Sequence, residues 1–320
     1  MTVVATEQLR SGRRVRDWLG DRILLGATMA AGLAALALIA LIAYKVLRGA
    51  HLAFSEFGLP FVWHSAWDAN KGLFGAAPGL FGTAVTSFIA LLIATPLALA
   101  IALFLSELAP RGVHTLLSSL VEMLAAIPSV VLGLWGILVL GPFLAAHVEP
   151  WLHRNLGFIP LFSGSPQSSG ILIAGIVLAI MVVPIVASVC RELFLSVPHE
   201  LEEGALALGA TRWEMVRGVV LSSSWSGIAA AVVLGFGRAL GEAIAVTQVI
   251  GAGWVIRSDL FGPGDTLASR IAGQYQGAVS KLQIASLFYL AAILLVIGLL
   301  TNLFAQLIVR RFAVVRTGGS

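Results

Sequence analysis

The sequence is short of charge, of lysine and of cysteine. Charged residues make up 11% of its 320 residues, while apolar residues make up 58%; a soluble protein usually carries roughly 25% charged residues. A chain so composed cannot cover itself with solvated surface. A cytosolic enzyme, a secreted domain and a disordered protein are excluded together, and the lipid bilayer is its solvent. The single cysteine, Cys190, excludes an internal disulfide framework and a multi-cysteine metal site. There are three lysines, Lys45, Lys71 and Lys281, and none follows a glycine. The chain therefore has no G-x-x-x-x-G-K-[ST] phosphate cradle and does not bind ATP by that route. His199-Glu200 comes nearest to H-E-x-x-H but lacks the second histidine, and no G-x-S-x-G elbow occurs. The six histidines are scattered, which argues against a metal cluster. No repeat or low-complexity stretch is evident. The net charge of +4 is read through where the charges fall, and no nucleic-acid partner is expected.

Crossing the hydrocarbon takes about 20 mostly apolar residues. Six stretches qualify, near Ile23–Tyr44, Phe81–Leu105, Thr115–Leu140, Gly170–Val189, Val219–Ile250 and Ile284–Val309. The first is too long for a signal-peptide core and reads as an uncleaved anchor. With the N-terminus in the cytoplasm, the inside segments hold twelve Lys and Arg and the outside segments seven, with Arg238 inside a span. The inside segments are also the shorter, so positive-inside places both termini in the cytoplasm. The organisation expected is a basic tail at 1–22, a first transmembrane helix at 23–44, an external loop at 45–80, a five-helix core at 81–309 and a C-terminal tail at 310–320. The core includes a cytoplasmic loop at 190–218. The external loops are aromatic: Phe54, Phe57, Phe61, Trp63 and Trp67 in the first, Trp151, Phe158 and Phe162 in the second. Anchoring at the bilayer edge and docking of an external partner both explain them.

The loop at 190–218 reads CRELFLSVPHELEEGALALGATRWEMVRG. Ser196 and Pro198 are helix-start signals. Glu200, Glu202 and Glu203 suit the positive end of a helix. Leu201, Ala205 and Leu208 form one narrow apolar stripe. Gly209 stops the helix, and Thr211-x-x-Glu214 is a capping box that starts another. Surface-seeking helices are usually basic, whereas this one is acidic, so a protein partner suits it better than lipid headgroups.

Three ionisable residues fall inside the expected spans: Glu122, Arg238 and Glu242. Each costs about 2.5–3.5 kcal/mol near the bilayer centre, so each is expected to face the bundle interior or water. Arg238 and Glu242 stand four apart in GRALGEAIAV and can pair on one helix face. Mutual neutralisation is one reading of the pair. The other is an anion pathway, in which the guanidinium fork matches oxyanion oxygens and the carboxylate keeps the anion from being trapped. Gly235, Gly237 and Gly241 flank the pair and permit close helix packing. Pro96, Pro128 and Pro184 interrupt spans two to four, as hinges or as static kinks.

Three of these segments carry a resemblance. Glu203-Gly204-Ala205, then Gly209, then Val219-x-Leu221, resembles the EAA loop of ABC importer permeases. Gly204 stands for its first alanine, Val219 for its isoleucine and Ser222 for its proline. GRALGEAIAVTQVIG, with the third-span stretch from Glu122 through Pro128 and Gly133 to Trp135-Gly136, resembles PstC-type permeases of phosphate-specific ABC importers. The resemblance implies an all-α membrane protein with six transmembrane helices and the type I, MetI-like, permease architecture. It implies half of a heterodimeric pore in a bacterial inner membrane, completed by a sister permease of PstA type. A PstB-type ATPase dimer, which would hold ATP and Mg, and an external PstS-type phosphate-binding protein complete the implied set. On this reading the chain has no catalytic residue, no metal and no cofactor of its own. Inorganic phosphate would pass Arg238 and Glu242, with Glu122 beside them. Glu203, Gly204, Ala205, Leu208 and Gly209 would dock the ATPase. The alternatives are a permease for sulfate or molybdate, a membrane-embedded enzyme using Glu122, Arg238 and Glu242, and a regulatory membrane subunit.

Overall fold

The computed structural model describes the backbone of residues 2–314, and the side chains of 21–307 other than Arg111 and His114. The basic tail's side chains before Asp21, and those of Arg310, Arg311 and Arg316, lie outside the described residues. Six helices are long and apolar enough to cross a membrane: Asp21–Phe57, Ala77–Leu108, Ser129–Leu156, Ile171–Leu195, Arg212–Gly241 and Lys281–Leu307. The chain divides into two units, 1–49 and 50–320. The first unit is part of helix α1 (Thr2–Phe57), and every residue from Asp21 to Ile42 is exposed.

The second unit is built on α2 (Ala77–Leu108) and α5 (Ile171–Leu195). Lipid tails are as apolar as leucine, so helices gain little in the bilayer by hiding apolar side chains; they associate by close packing. Along α2 the residues Thr86, Ala90, Ala94, Ala98 and Ala102 recur every fourth position and all are buried. This row of small side chains forms a shallow seam. Against it lies α5, where Ile173, Val177, Val182 and Val186 are buried. A Cβ on Gly175 of α5 would lie 2.6 Å from Ile89 Cγ2, which shows how near the two backbones come. α5 is the most enclosed of the spans.

Helix α3 (Arg111–Ala126) is too short to cross. It stops because Pro128 lacks an N–H and turns the chain into extended geometry, with Ile127 at ψ 126° and Pro128 at ψ 138°. The third crossing is therefore α4 (Ser129–Leu156), not 115–140. It runs well into what the sequence presents as an external loop, and it contains the wide π-turns Gly136–Leu140 and Leu144–Val148. α1 likewise continues to Phe57, beyond the expected end at Tyr44.

After α5 come α6 (His199–Ala207) and α7 (Arg212–Gly241). Gly235 of α7 meets α5 closely: a Cβ there would stand 2.8 Å from both Val182 Cγ1 and Val186 Cγ2. Gly237 and Gly241 have nothing within 4 Å of such a Cβ, so they do not serve close packing within the chain as expected. The chain continues through α8 (Ile244–Val249) and α9 (Leu267–Gln274) to α10 (Lys281–Val314).

The segment between α8 and α9 folds over the start of α5. The N–H groups of a helix's first turn have no partner within the helix. Here Gly170 N–H donates to Val249 C=O (3.0 Å), Ile171 N–H to Gly262 C=O (3.2 Å) and Leu172 N–H to Leu260 C=O (2.9 Å). The fully buried Phe261 packs beneath. On the same side, a hairpin of β1 (Trp67–Asp68) and β2 (Leu73–Phe74) pairs antiparallel, Trp67 opposite Phe74. Its turn is closed by Asp68 Oδ1, which accepts the N–H groups of Asn70 and Lys71, and Gly72 takes φ +65°. Phe61 stacks on Tyr289, ring centres 4.4 Å apart, joining this layer to α10.

These contacts separate two glycines of one helix. Gly235→Ala is expected to cost about 1–3 kcal/mol through overpacking against the two valines, whereas Gly237→Ala is expected to be neutral or slightly stabilising. Thermal unfolding of the two purified variants beside wild type checks the contrast.

Candidate functional site

Two groups of residues stand out, at opposite ends of α7. The first is the loop joining α5 to α7. α5 ends at Leu195, with Ser196 as its C-terminal cap, so Ser196 closes a helix instead of opening one. α6 begins at His199 directly after Pro198. The side chain of Ala205 packs on the core, while Leu201 and Leu208 are exposed, Leu208 at 91%. The expected stripe is thus divided: its middle faces the bundle and its ends face outward. Gly209 adopts φ +88°, a left-handed conformation that other residues reach only with strain. The capping box forms as expected, with Thr211 Oγ1 accepting Glu214 N–H and Glu214 accepting Thr211 N–H at 2.8 Å. Trp213 is 64% exposed beside it. Glu203 and Gly204 are exposed, and a Cβ on Gly204 would meet nothing within 4 Å. The loop thus exposes Leu208 and Trp213 beside acidic residues, and an exposed Trp is a residue type enriched in protein interfaces.

Beside this loop lies Arg191 on α5. Its Nη2 donates to Glu192 Oε1 at 2.6 Å, and Nη1 lies 4.0 Å from Glu122 Oε1. Glu122 belongs to the short α3 and is exposed. Its ion-pair partner among the described residues is Arg191.

The second group surrounds the far end of α7. The helix stops at Gly241, and Glu242, at ψ 118°, is already extended. The two residues four apart in sequence are therefore not on one helix, and among the described residues no ion pair joins Arg238 to Glu242. Glu242 instead accepts Ala245 N–H (3.3 Å) and caps α8. Arg238 is exposed in the last turn of α7, where the unpaired C=O groups of the helix end favour a cation. That helix end, not Glu242, explains how a span tolerates the arginine.

A third charged cluster, outside the spans, carries no sequence motif. Asp265 and Arg270 flank the N-terminus of α9 with side chains only 4% and 7% exposed, and Arg270 Nε lies 2.9 Å from Asp265 Oδ2. Asp265 Oδ1 accepts Thr266 N–H at 3.0 Å and the Ser269 hydroxyl. Thr266 caps α9, and Thr83 of α2 receives Leu267 N–H at 3.0 Å. Gly82 is needed here, since a Cβ would overlap Asp265 C=O. The Arg270 guanidinium lies 4.2 Å from the ring centre of Trp254 and 5.5 Å from that of Trp67. Trp67 Nε1 donates to Gln274 Oε1 at 2.7 Å. Burial pushes the Asp265 carboxyl up and the Arg270 guanidinium down, each opposed by the charge of the other.

Comparison with known proteins places this geometry. Residues 94–314 match the family described as "Binding-protein-dependent transport system inner membrane component". A "Phosphate transport system permease protein PstC" of Pasteurella multocida is 40% identical over 278 residues, covering 86% of this chain and 87% of its own. One of Mesorhizobium japonicum is 40% identical over 304 residues, covering 94% and 93%.

The chain belongs to the PstC-type permease family.

Solved structures agree at the level of the fold. A permease chain of a bacterial alginate ABC transporter, solved with a pentasaccharide-bound periplasmic protein, superposes with a TM-score of 0.58 at 20% identity, covering 92% of this chain and 95% of its own. A chain of the inward-facing MetNI methionine ABC transporter does so at 0.54 and 20%, covering 73% and 94%. This PstC-type chain is a multi-pass membrane protein of type I ABC importer permease architecture.

The loop glycines give a local test. Gly209→Ala forces an alanine to φ +88° and is expected to raise amide hydrogen exchange from Leu208 through Arg212. Gly204→Ala, in open space on a helix, is expected to slow exchange across α6. Equal protection in both variants would contradict the assignment of strain to Gly209.

Proposed function

We propose that this chain is the transmembrane permease subunit of an ATP-driven importer of inorganic phosphate, forming half of the pore beside a sister permease. The observation that carries the substrate is the name shared by relatives 40% identical over 86–94% of the chain. The placement of Arg238 supports it. An exposed arginine in an apolar span, with no acidic partner among the described residues, suits a route for an anion. Its fork can take two phosphate oxygens. With no carboxylate pinned against it, Arg238 is free to exchange one anion for the next, and Glu242, one helix break away, repels an anion that lingers.

The motor lies in another subunit on this reading, and the ATP and Mg sites with it. The loop at 190–218 couples to it. Leu208 and Trp213 enter an apolar cleft on the ATPase, Glu203 pairs at its rim, and Gly209 sets the angle between α6 and α7. Gly204 leaves room beside Ala205 for the partner's surface. Glu122 and Glu192 hold Arg191 against this loop, which is the role left to Glu122. ATP-driven closure of the ATPase dimer moves the loop, α7 transmits the motion, and the pore alternates between outward and inward access. Both termini are cytoplasmic, in a bacterial inner membrane, and an external phosphate-binding protein delivers the ion to the opposite face.

Uptake of labelled phosphate and of labelled sulfate tests the substrate, in a strain lacking this gene and other phosphate transporters. Wild type is expected to restore phosphate uptake alone. Arg238→Ala is expected to abolish it with normal assembly. Restored sulfate uptake would assign a different oxyanion, and normal phosphate uptake by Arg238→Ala would remove the arginine from the route. Glu203→Lys and Gly209→Pro are expected to leave ATPase activity unresponsive to the loaded binding protein; retained stimulation in both would overturn the coupling role.

A further inference from the structure

The Arg270 cluster holds nitrogen donors that have no acceptors. Arg270 Nε and Nη2 and Trp254 Nε1 are all buried without a hydrogen-bond partner. The 2.9 Å approach of Arg270 Nε to Asp265 Oδ2 is off the N–H direction, so it balances charge without forming an aligned hydrogen bond. Asp265 Oδ1 accepts from Thr266 and Ser269, which leaves only Oδ2 to face the guanidinium. The guanidinium is held against Trp254, its Cζ 4.2 Å from the ring centre, so the indole that carries the second unpaired N–H is its direct neighbour. Buried polar groups are satisfied in folded proteins, and each exception calls for a missing partner. The missing partner here must supply acceptor oxygens. A cation or a donor-rich solute is excluded by the arrangement.

We propose that Arg270 and Trp254 form a second oxyanion-binding subsite, on the external side of the membrane, which holds phosphate before it reaches Arg238. This rests on the phosphate-importer reading and adds a station to it. One oxygen meets Arg270 Nη2, and a second meets Trp254 Nε1. Asp265 keeps the pair near electrical neutrality, so the anion is held by hydrogen bonds more than by net charge and is released readily. The cluster lies where α9 meets α2 and where the segment between α8 and α9 covers the start of α5. An anion bound there touches the parts that must separate for an external opening.

The test uses the purified membrane complex without nucleotide or added external proteins, titrated with inorganic phosphate while its thermal unfolding is followed. Wild type is expected to be stabilised by phosphate. Trp254→Phe, which keeps an aromatic face for Arg270 but removes the indole N–H, is expected to raise the phosphate concentration needed by about tenfold. Arg270→Gln is expected to weaken this response at least as much. If Arg270→Gln fails to assemble, Trp254→Phe decides. Responses that match wild type in both Trp254→Phe and Arg270→Gln would overturn the subsite; water would then serve the donors. Failure of the importer reading shows separately, as wild type restoring no phosphate uptake.

Discussion

The seam between α2 and α5 is the constraint on which the rest of the structure depends. In a bilayer an apolar side chain has nothing to flee, so a helix pair holds only where two backbones can come close enough for dense contact. Alanine at every fourth position of α2 supplies that closeness, and Ile173, Val177, Val182 and Val186 fill the shallow groove it leaves. Once α5 is fixed, other elements take their places from it. α7 settles where Gly235 lets it touch Val182 and Val186. The segment between α8 and α9 is held by the first N–H groups of α5, which need acceptors and find them there.

Arg238 and Arg270 are kept in opposite ways. Arg238 is exposed at a helix end whose carbonyls offset its charge. Arg270 is buried, balanced by Asp265 and held against the Trp254 indole with the Trp67 ring alongside. The first arrangement leaves the fork free in direction. The second fixes it in direction and withholds its acceptors. On the proposed route an ion would meet the rigid group first and the mobile one second, and neither group would need to bind tightly.

Much of this was legible in the sequence, for identifiable reasons. Six apolar runs give six crossings, because span length follows from bilayer thickness. The Thr211–Glu214 capping box and the Gly209 stop are local backbone chemistry and formed as read. What misled was continuity. Hydropathy runs unbroken across Pro128 and across Gly241-Glu242, yet the helix breaks at both. A missing N–H explains the first break. At the second, Glu242 turns to cap α8, a choice between two helices that spacing alone does not reveal. The Asp265–Arg270 cluster was invisible because its members come from distant places: Thr83 and Trp67 meet residues 254–274 only through the tertiary fold.

One feature of α7 has a mechanical side. From Arg212 to Gly241 it is a single rod of 30 residues, about 45 Å long, with its only irregularity the wide turn at Val216–Leu221. No loop along it can absorb a displacement. α7 is braced on α5 at two close contacts, Gly227 against Leu193 and Gly235 against Val182 and Val186. Both lie nearer Arg238 than Thr211, so the rod is a lever with unequal arms: a long stroke at the loop becomes a short, forceful one beside the arginine.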